Sequence, residues 1–325
     1  MKKDIDAMIT QLLAGDRRAV AKLITMVENE TTEHHDVMKR VYPHTGKALI
    51  IGITGAGGAG KSTLTDHLIG KYRANGKKVG VVLVDPSSPF SGGALLGDRI
   101  RMRKHSRDNG VFIRSLASRG NLGGLSRATY DVIRVLEAFG LDVIIVETLG
   151  AGQDEVDVVH LAHTCLVVFT PGMGDDIQAM KAGIIEIADL IVLNKADLEG
   201  ANACLRNLQG ALTAAVVKEG KWMPKIIQTI CVSDKPESIT GIDELVEAIS
   251  EHQDYLRESK AIDHVKFQRI EQELRIIFQE ELQHFIFKGL KGTGKKKEYI
   301  QSIMDRKNDP YSIVEEVFKT YLVLK

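Results

Sequence analysis

Short apolar runs recur along the central part of the chain, and each is followed by a turn and then by a stretch with helical spacing. The runs occupy residues 48–53, 79–84, 143–146, 165–169, 190–193 and 225–230. They are rich in valine and isoleucine, as strands buried on both faces are. Strands that alternate with helices predict an α/β fold with a doubly wound, mostly parallel sheet.

The hydrophobic pattern changes to a purely helical period at both ends. Residues 5–30 predict two short helices broken at Gly15-Asp16. A helix over 241–252 closes the central domain, a long amphipathic segment spans 255–287, and residues 289–297 read as an exposed loop. Two last helices, 298–304 and 311–324, flank a turn at 308–310. We therefore expect an N-terminal helical extension (1–45), a central domain (46–254) and a C-terminal helical interaction arm (255–325).

Charge and cysteine content narrow the classes of function. The chain has 43 Lys+Arg and 43 Asp+Glu in 325 residues. Nucleic-acid and membrane-surface proteins need a basic field, so this balance argues against both classes. Neither an apolar run of bilayer length nor a cleavable leader pattern is present, so we expect a cytoplasmic protein. Cys165, Cys204 and Cys231 lie far apart, which favours free thiols in a reducing compartment.

A phosphate-binding loop follows the first predicted strand. The sequence Gly55-Ala56-Gly57-Gly58-Ala59-Gly60-Lys61-Ser62 matches G-x-x-x-x-G-K-[ST] and leads into a helix at Thr63. In such a loop the backbone N–H groups of 55–63 surround the phosphates, Lys61 reaches the β- and γ-phosphates, and the Ser62 hydroxyl binds Mg²⁺. The fold class is then that of a P-loop nucleoside triphosphatase.

A second motif selects the base. Asn194-Lys195-Ala196-Asp197 ends the strand at 190–193. The Asp197 carboxylate can accept from the ring N–H and the exocyclic amine of guanine, a donor pair that adenine lacks. We therefore expect GTP and GDP as ligands. Cys231, Val232 and Ser233, after the next strand, either support the base through backbone contacts or form a plain loop.

Carboxylates at the ends of other strands indicate a magnesium site. Asp85 and Glu147 each end a predicted strand and are candidate Mg²⁺ ligands together with Ser62. Asp98 is either a third ligand or a solvated loop residue. Gln153 either orients the attacking water or is a turn residue. With Lys61, Asp98 and Gln153 as the candidate catalytic residues, and with further groups supplied by a partner, we expect slow intrinsic GTP hydrolysis.

The histidines and the basic run at 291–297 favour structural interpretations. His160 and His163 have ligand-like spacing on a predicted helix but lack further ligands nearby, so we expect packed or capping side chains. We expect His34, His35 and His44 to lie on the surface. The run at 291–297 has no interleaved aromatic residue and reads as a solvated loop.

Several longer motifs resemble the MeaB or ArgK group of GTPases associated with methylmalonyl-CoA mutase, over nearly the full chain. They are Leu13-Ala-Gly-Asp-Arg-Arg-Ala-Val20, Val84-Asp-Pro-Ser-Ser-Pro89, Gly92-Gly-Ala-Leu-Leu-Gly-Asp98, Ser118-Arg-Gly120, Leu122-Gly-Gly124, Glu147-Thr148 through Gly152-Gln153, the 194–197 motif and Asn308-Asp-Pro-Tyr311. The resemblance implies that Asp85, Asp98 and Glu147 join Ser62 around Mg²⁺. It also implies a further switch loop at 171–181 in which Asp175, Gln178 and Lys181 face the mutase.

By the same resemblance, such proteins are homodimers through the C-terminal arm and use GTP to gate cofactor loading of an adenosylcobalamin-dependent acyl-CoA mutase, which they also protect. The Gly57-Gly58-Ala59 version of the loop looks like that of the GTPase domains serving isobutyryl-CoA or hydroxyisobutyryl-CoA mutases. Two alternatives stay open: a P-loop kinase of a small metabolite, which the 194–197 motif disfavours, and a metallochaperone GTPase, which would need a Cys- or His-rich motif.

Overall fold

The central domain is built on a parallel sheet, as the apolar pattern predicted. A computed structural model describes residues 2–85, 103–117, 127–148, 157–172, 184–214, 222–232, 235–292 and 294–321. Within these ranges the strands are β1 (Leu49–Thr54), β2 (Val79–Asp85), β3 (Val111–Ala117), β4 (Val143–Thr148), β5 (Thr164–Phe169), β6 (Leu190–Asn194) and β7 (Lys225–Thr229). They form one sheet of order β3-β2-β4-β1-β5-β6-β7, and all pairs are parallel.

The described helices are α1 (Lys2–Leu13), α2 (Arg17–Glu28), α3 (His34–Val41), α4 (Lys61–Ala74), α5 (Arg127–Ala138), α6 (Ala201–Ala214), α7 (Ile242–Glu258), α8 (Ala261–Gly292), α9 (Lys295–Met304) and α10 (Pro310–Tyr321). Short 3-10 turns occupy Tyr42–His44, Arg103–Arg107, Val158–His160, Ile184–Ile187 and Pro236–Ser238. Strands β4, β5 and β6 are buried at every residue. Helices α4 and α7 cover one face of the sheet, with Leu64, Leu68, Leu245 and Ile249 fully buried in the same apolar core.

Strand β3 was absent from the sequence prediction. It lies at one edge of the sheet, paired only with β2 among the described strands. Arg114 and Ser115 interrupt its apolar run, and residues 113–115 are only partly buried. This edge strand is less completely covered than the central strands, so its hydrophobic pattern is weaker.

The N-terminal region contains a third helix, α3, and one of its histidines contradicts the prediction of a surface position. His34 is 3% exposed, and its Nε2 lies 2.6 Å from Asp131 Oδ2 on α5. A histidine with a buried carboxylate partner can be placed inside, and sequence spacing alone does not reveal a partner 97 residues away. His35 and His44 are exposed, as predicted.

The His160-x-x-His163 pair does not lie on a helix of the predicted kind. His160 ends a 3-10 turn, and His163 lies between that turn and β5. The backbone N–H of Ile50 donates to His163 Nδ1 at 3.1 Å, and the backbone N–H of His163 donates to the Ile50 carbonyl at 2.8 Å. His163 therefore joins β1 to the start of β5 as a packed, hydrogen-bonded residue.

The chain divides into two compact units, residues 1–269 and 270–325. The smaller unit has its own apolar contacts among Leu290, Ile313 and Val317, which also pack against Ile286. Those contacts explain why the predicted loop at 289–297 is wrong: α8 continues to Gly292 and α9 begins at Lys295. The domain boundaries at 45/46 and 254/255 stay predictions. None of the described helices is long and apolar enough to cross a membrane.

Candidate nucleotide-binding site

The phosphate loop joins β1 to α4 in a shape that only glycine permits at two positions. Gly55 has φ +137°, and a Cβ there would lie 2.3 Å from the Val168 carbonyl oxygen on β5. Gly60 has φ +95°, and a Cβ there would lie 2.2 Å from Asn194 Nδ2. The loop is therefore packed directly against the ends of two neighbouring strands, which fixes where its backbone N–H groups point.

Lys61 is the first residue of α4 and turns back over the loop. Its side chain is buried, and its ammonium donates to the carbonyl oxygens of Gly55 at 2.6 Å and Ala56 at 2.9 Å. The positive charge thus lies at the mouth of the loop, beside backbone N–H groups and the N-terminus of a helix. This is an arrangement that attracts a polyphosphate.

Glu147, near the end of β4, forms the polar centre of the site. It is fully buried, and each carboxylate oxygen accepts one hydroxyl from α4. Ser62 Oγ donates to Oε1 at 2.6 Å, and Thr65 Oγ1 donates to Oε2 at 2.7 Å. Two hydrogen bonds from neighbouring turns of one helix fix the orientation of the carboxylate relative to the phosphate loop.

This donor set fits Mg²⁺. A hydroxyl and a carboxylate are the hard oxygen groups that Mg²⁺ prefers, and Mg²⁺ keeps several of its waters in nucleotide sites. Because Glu147 accepts from Ser62, it fixes the orientation of the hydroxyl that would bind the ion. Asp85 ends β2, which pairs in parallel with β3 and β4. Its backbone therefore lies at the same carboxyl end of the sheet as Glu147. Within the described ranges, no three His, Cys, Asp or Glu residues are clustered as metal ligands.

The base motif is joined to the phosphate loop by hydrogen bonds. Asn194 is 2% exposed at the end of β6, and its Nδ2 donates to the Ala59 carbonyl at 2.8 Å. Its Oδ1 accepts from Thr229 Oγ1 on β7 at 3.0 Å. Lys195 has φ +56°, and its ammonium donates to the Gly58 carbonyl at 3.0 Å. The first two motif residues therefore join the base motif to the phosphate loop.

A cavity of about 300 Å³ lies beside these residues. Its lining consists of Gly60, Thr63, Asn194, Lys195, Asp197, Leu198, Cys231 and Val232. The Asp197 side chain is exposed there and can accept hydrogen bonds from a ligand. Burial raises the pKa of the Cys231 thiol to about 11, so the sulfur stays neutral at physiological pH. The cavity thus offers one anionic acceptor between apolar walls, which suits a flat base with two adjacent N–H donors.

The structure brings together the predicted residues of the phosphate loop, the 194–197 motif and the loop at Cys231 and Val232. Asp98, Gln153 and Ser233 lie outside the described residues, as do Asp175, Gln178 and Lys181 of the predicted switch loop. The side chain of Asp85 is also outside the description. The roles predicted for these residues stay predictions.

Three residues that hydrogen-bond to the predicted site residues were not predicted from the sequence. Thr65 holds Glu147, Thr229 holds Asn194, and the His67 ring contacts the Cys231 carbonyl at 2.8 Å. Thr65 lies three positions after Ser62 and could have been found from helical spacing, since residues at i and i+3 share a face. Thr229 and His67 depend on which elements are neighbours in space, which no local pattern reports.

Comparisons with known proteins agree with this site. Residues 20–290 match the family described as methylmalonyl Co-A mutase-associated GTPase MeaB, and the match includes both motifs. A relative from Pyrococcus horikoshii is 49% identical over 318 residues, which are 97% of this chain and 98% of that protein. GTPase ArgK of Escherichia coli is 35% identical over 286 residues, which are 86% of this chain and 85% of that protein.

A solved structure supports the same fold. The protein described as LAO/AO transport system kinase matches with a TM-score of 0.70 and 26% identity, over 97% of each chain. The similarity thus extends over the phosphate loop, the sheet and the C-terminal helices alike.

Proposed function

The chain belongs to the MeaB family of methylmalonyl-CoA mutase-associated GTPases, and we propose that it is the GTP-dependent chaperone of an adenosylcobalamin-dependent acyl-CoA mutase. The observation that carries the nucleotide part is the Asn194 amide, which joins the base motif to the phosphate loop through the Ala59 carbonyl. A loop and a base motif joined in this way recognise both ends of one guanine nucleotide. The family match carries the mutase part.

In the proposed binding mode, each predicted group of the site has a defined role. Backbone N–H groups of residues 55–63 and the Lys61 ammonium bind the phosphates, and the Asp197 carboxylate accepts from the ring N–H and the amine of guanine. Mg²⁺ neutralises charge on the β- and γ-phosphates when it is bound. Ser62 and Glu147 would hold that ion, with Asp85 and Asp98 as the further proposed ligands. Gln153 is proposed to orient the attacking water.

The proposed rate behaviour follows from the chemistry of phosphoryl transfer. Catalysis of this step depends on positioning and on charge stabilisation, and an absent group can be supplied by a partner protein. We expect slow hydrolysis by the isolated chain and faster hydrolysis with its mutase. Residues 171–181, with Asp175, Gln178 and Lys181, are the proposed contact with that mutase. Hydrolysis would then gate loading of the cobalamin cofactor.

The C-terminal unit supports the proposed homodimer. Leu274, Phe278, Leu282 and Phe285 follow one another at helical spacing along α8, and their exposed fractions are 48%, 71%, 38% and 54%. Such a continuous apolar stripe on a helix is typical of a surface that another protein covers. A second copy of this chain is the proposed occupant, because a stripe on a long helix can pair with its own symmetry mate.

Binding between the purified chain and candidate mutases tests the chaperone proposal. The chain is titrated into methylmalonyl-CoA, isobutyryl-CoA and hydroxyisobutyryl-CoA mutases, each with GDP and with a non-hydrolysable GTP analogue. We expect one mutase to bind with affinities that differ by about tenfold between the two nucleotides, a typical coupling between sites. Equal affinities, or no binding to any of the three, would contradict the proposal.

A further inference from the structure

His67 lies on α4 behind the loop that closes the base cavity. Its Nε2 is 2.8 Å from the carbonyl oxygen of Cys231, and a carbonyl can only accept, so Nε2 carries the proton and donates. Cys231 and Val232 line the cavity beside Thr63 of α4. Thr63 and His67 are four residues apart and therefore lie on the same face of the helix. One face of α4 thus contributes to the cavity wall and also contacts the loop opposite.

We propose that His67 is a positioning residue for guanine recognition: it fixes the Cys231-Val232 loop at the distance from the phosphate loop that the base requires. This inference rests on the guanine site proposed above. It does not depend on the mutase, because the contact lies entirely within the central domain.

The chain around Cys231 explains why one hydrogen bond can matter. Strand β7 ends at Thr229, and beyond it the backbone of Ile230 pairs with Thr240 in an isolated bridge. The Cys231 side chain is buried in the apolar core, and its carbonyl accepts from His67. Val232, the next residue, is 73% exposed. His67 therefore contacts the loop at the point where the chain leaves the core and enters the cavity wall.

The affected part of the base follows from the position of Asp197. If this carboxylate accepts from the ring N–H and the 2-amine, the 6-oxo group is the remaining acceptor along that edge of guanine. It needs an N–H donor, and backbone N–H groups in the loop at 231–232 are of this type. ADP has a 6-amine, which cannot use such a donor. Displacement of the loop should therefore lower affinity for 6-oxo nucleotides selectively.

Calorimetric titration of GDP, IDP and ADP into the full chain tests this role, with Mg²⁺ present. His67→Ala should weaken GDP and IDP about 3- to 10-fold, the value of one net hydrogen bond, and leave ADP unchanged. IDP keeps the 6-oxo group but lacks the 2-amine, so it separates this contact from that of Asp197. His67→Gln keeps an N–H donor on a side chain of similar reach and should restore most of the lost affinity.

Lys71→Ala is the matched control. Lys71 lies one turn further along α4 and pairs with Asp243 on the surface, so its removal should leave all three affinities unchanged. Thermal unfolding without nucleotide confirms that every variant is folded. Equal affinities of His67→Ala and the unaltered chain would overturn the inference, as would an equal loss for ADP and GDP. A selective loss in a chain that binds no mutase would contradict the proposed chaperone function and leave this inference standing.

Discussion

At the scale of single residues, Glu147 is held at both of its carboxylate oxygens. Its two oxygens accept from Ser62 and Thr65, and no part of it reaches solvent. A carboxylate in this position fixes the orientation of the Ser62 hydroxyl at the start of α4. The strand pattern ending at Glu147 predicted a metal-site residue. Helical spacing could show that Thr65 shares a face with Ser62, whereas only the packing of α4 against β4 shows that this face meets Glu147. Helical periodicity shows which residues share a face, but not what that face meets.

Glu147→Gln should raise the Mg²⁺ concentration required for half-maximal GTP hydrolysis by about 10- to 100-fold, the usual cost of losing a group that orients a metal ligand. The amide keeps the shape of the side chain and removes one of two acceptors. Titration of Mg²⁺ into steady-state assays measures the shift, and Mg²⁺-dependent binding of GDP gives a second readout. Thr65→Val should show a smaller shift and Thr65→Ser none. An unchanged Mg²⁺ requirement in Glu147→Gln would contradict the proposed role.

At the scale of elements, the site lies where the carboxyl ends of the parallel strands meet. The phosphate loop follows β1, Glu147 is near the end of β4, and Asn194 ends β6. The sequence could predict that these residues lie close together, because a doubly wound parallel sheet places the carboxyl ends of its strands on one side. It could not predict β3, because Arg114 and Ser115 interrupt the apolar run of this edge strand. It also could not predict the helix through 289–292, which depends on contacts between Leu290 and α10.

The phosphate loop provides a matched pair of substitutions at this scale. Gly55→Ala places a Cβ 2.3 Å from the Val168 carbonyl at φ +137°, so the loop or β5 must shift. We expect a loss of about 2 kcal/mol or more in the free energy of unfolding. Gly57→Ala meets no atom within 4 Å and should leave stability nearly unchanged. Denaturant unfolding of the nucleotide-free variants compares them, and equal stability would show that β5 does not constrain the loop.

The contact between β1 and the start of β5 should make stability sensitive to acid. Burial, reinforced by nearby Arg269 and Lys266, lowers the pKa of His163 to about 4. Because the unfolded chain binds this proton near pH 6.5 and the folded chain does not, stability is full above pH 6.5 and falls as the pH drops toward 4. Protonation of Nδ1 would also remove the acceptor for the Ile50 N–H.

Urea unfolding at pH 7 and pH 5 measures the contribution of His163. The histidine should account for about 2 kcal/mol of the stability lost between these two values. His163→Gln should be less stable at pH 7 but should lose correspondingly less on acidification. An identical pH dependence in the variant and the unaltered chain would contradict the assignment.

At the scale of the whole molecule, the apolar stripe on α8 is exposed in the isolated chain. The amphipathic pattern predicted an interaction arm from the sequence alone. A hydrophobic period cannot identify the partner, because a stripe has the same period whichever surface covers it.

Substitution within that stripe tests the homodimer. Phe278→Glu places a charge where the side chain is 71% exposed, so the single chain should fold normally while the pair dissociates. Light scattering over a range of concentrations should give the mass of two chains for the unaltered protein and of one chain for the variant. Lys319→Glu, at another exposed position of the same unit, should keep the mass of two. A dimeric Phe278→Glu protein would place the interface elsewhere.

Steady-state hydrolysis of GTP and ATP, with and without each candidate acyl-CoA mutase, tests the central claim most directly. We predict slow GTP hydrolysis by the isolated chain, stimulation by one mutase, and no comparable turnover of ATP. The stimulated activity should be lost in Asp197→Ala, which shows that it belongs to this site. Equal turnover of ATP and GTP that is indifferent to every mutase would contradict the account.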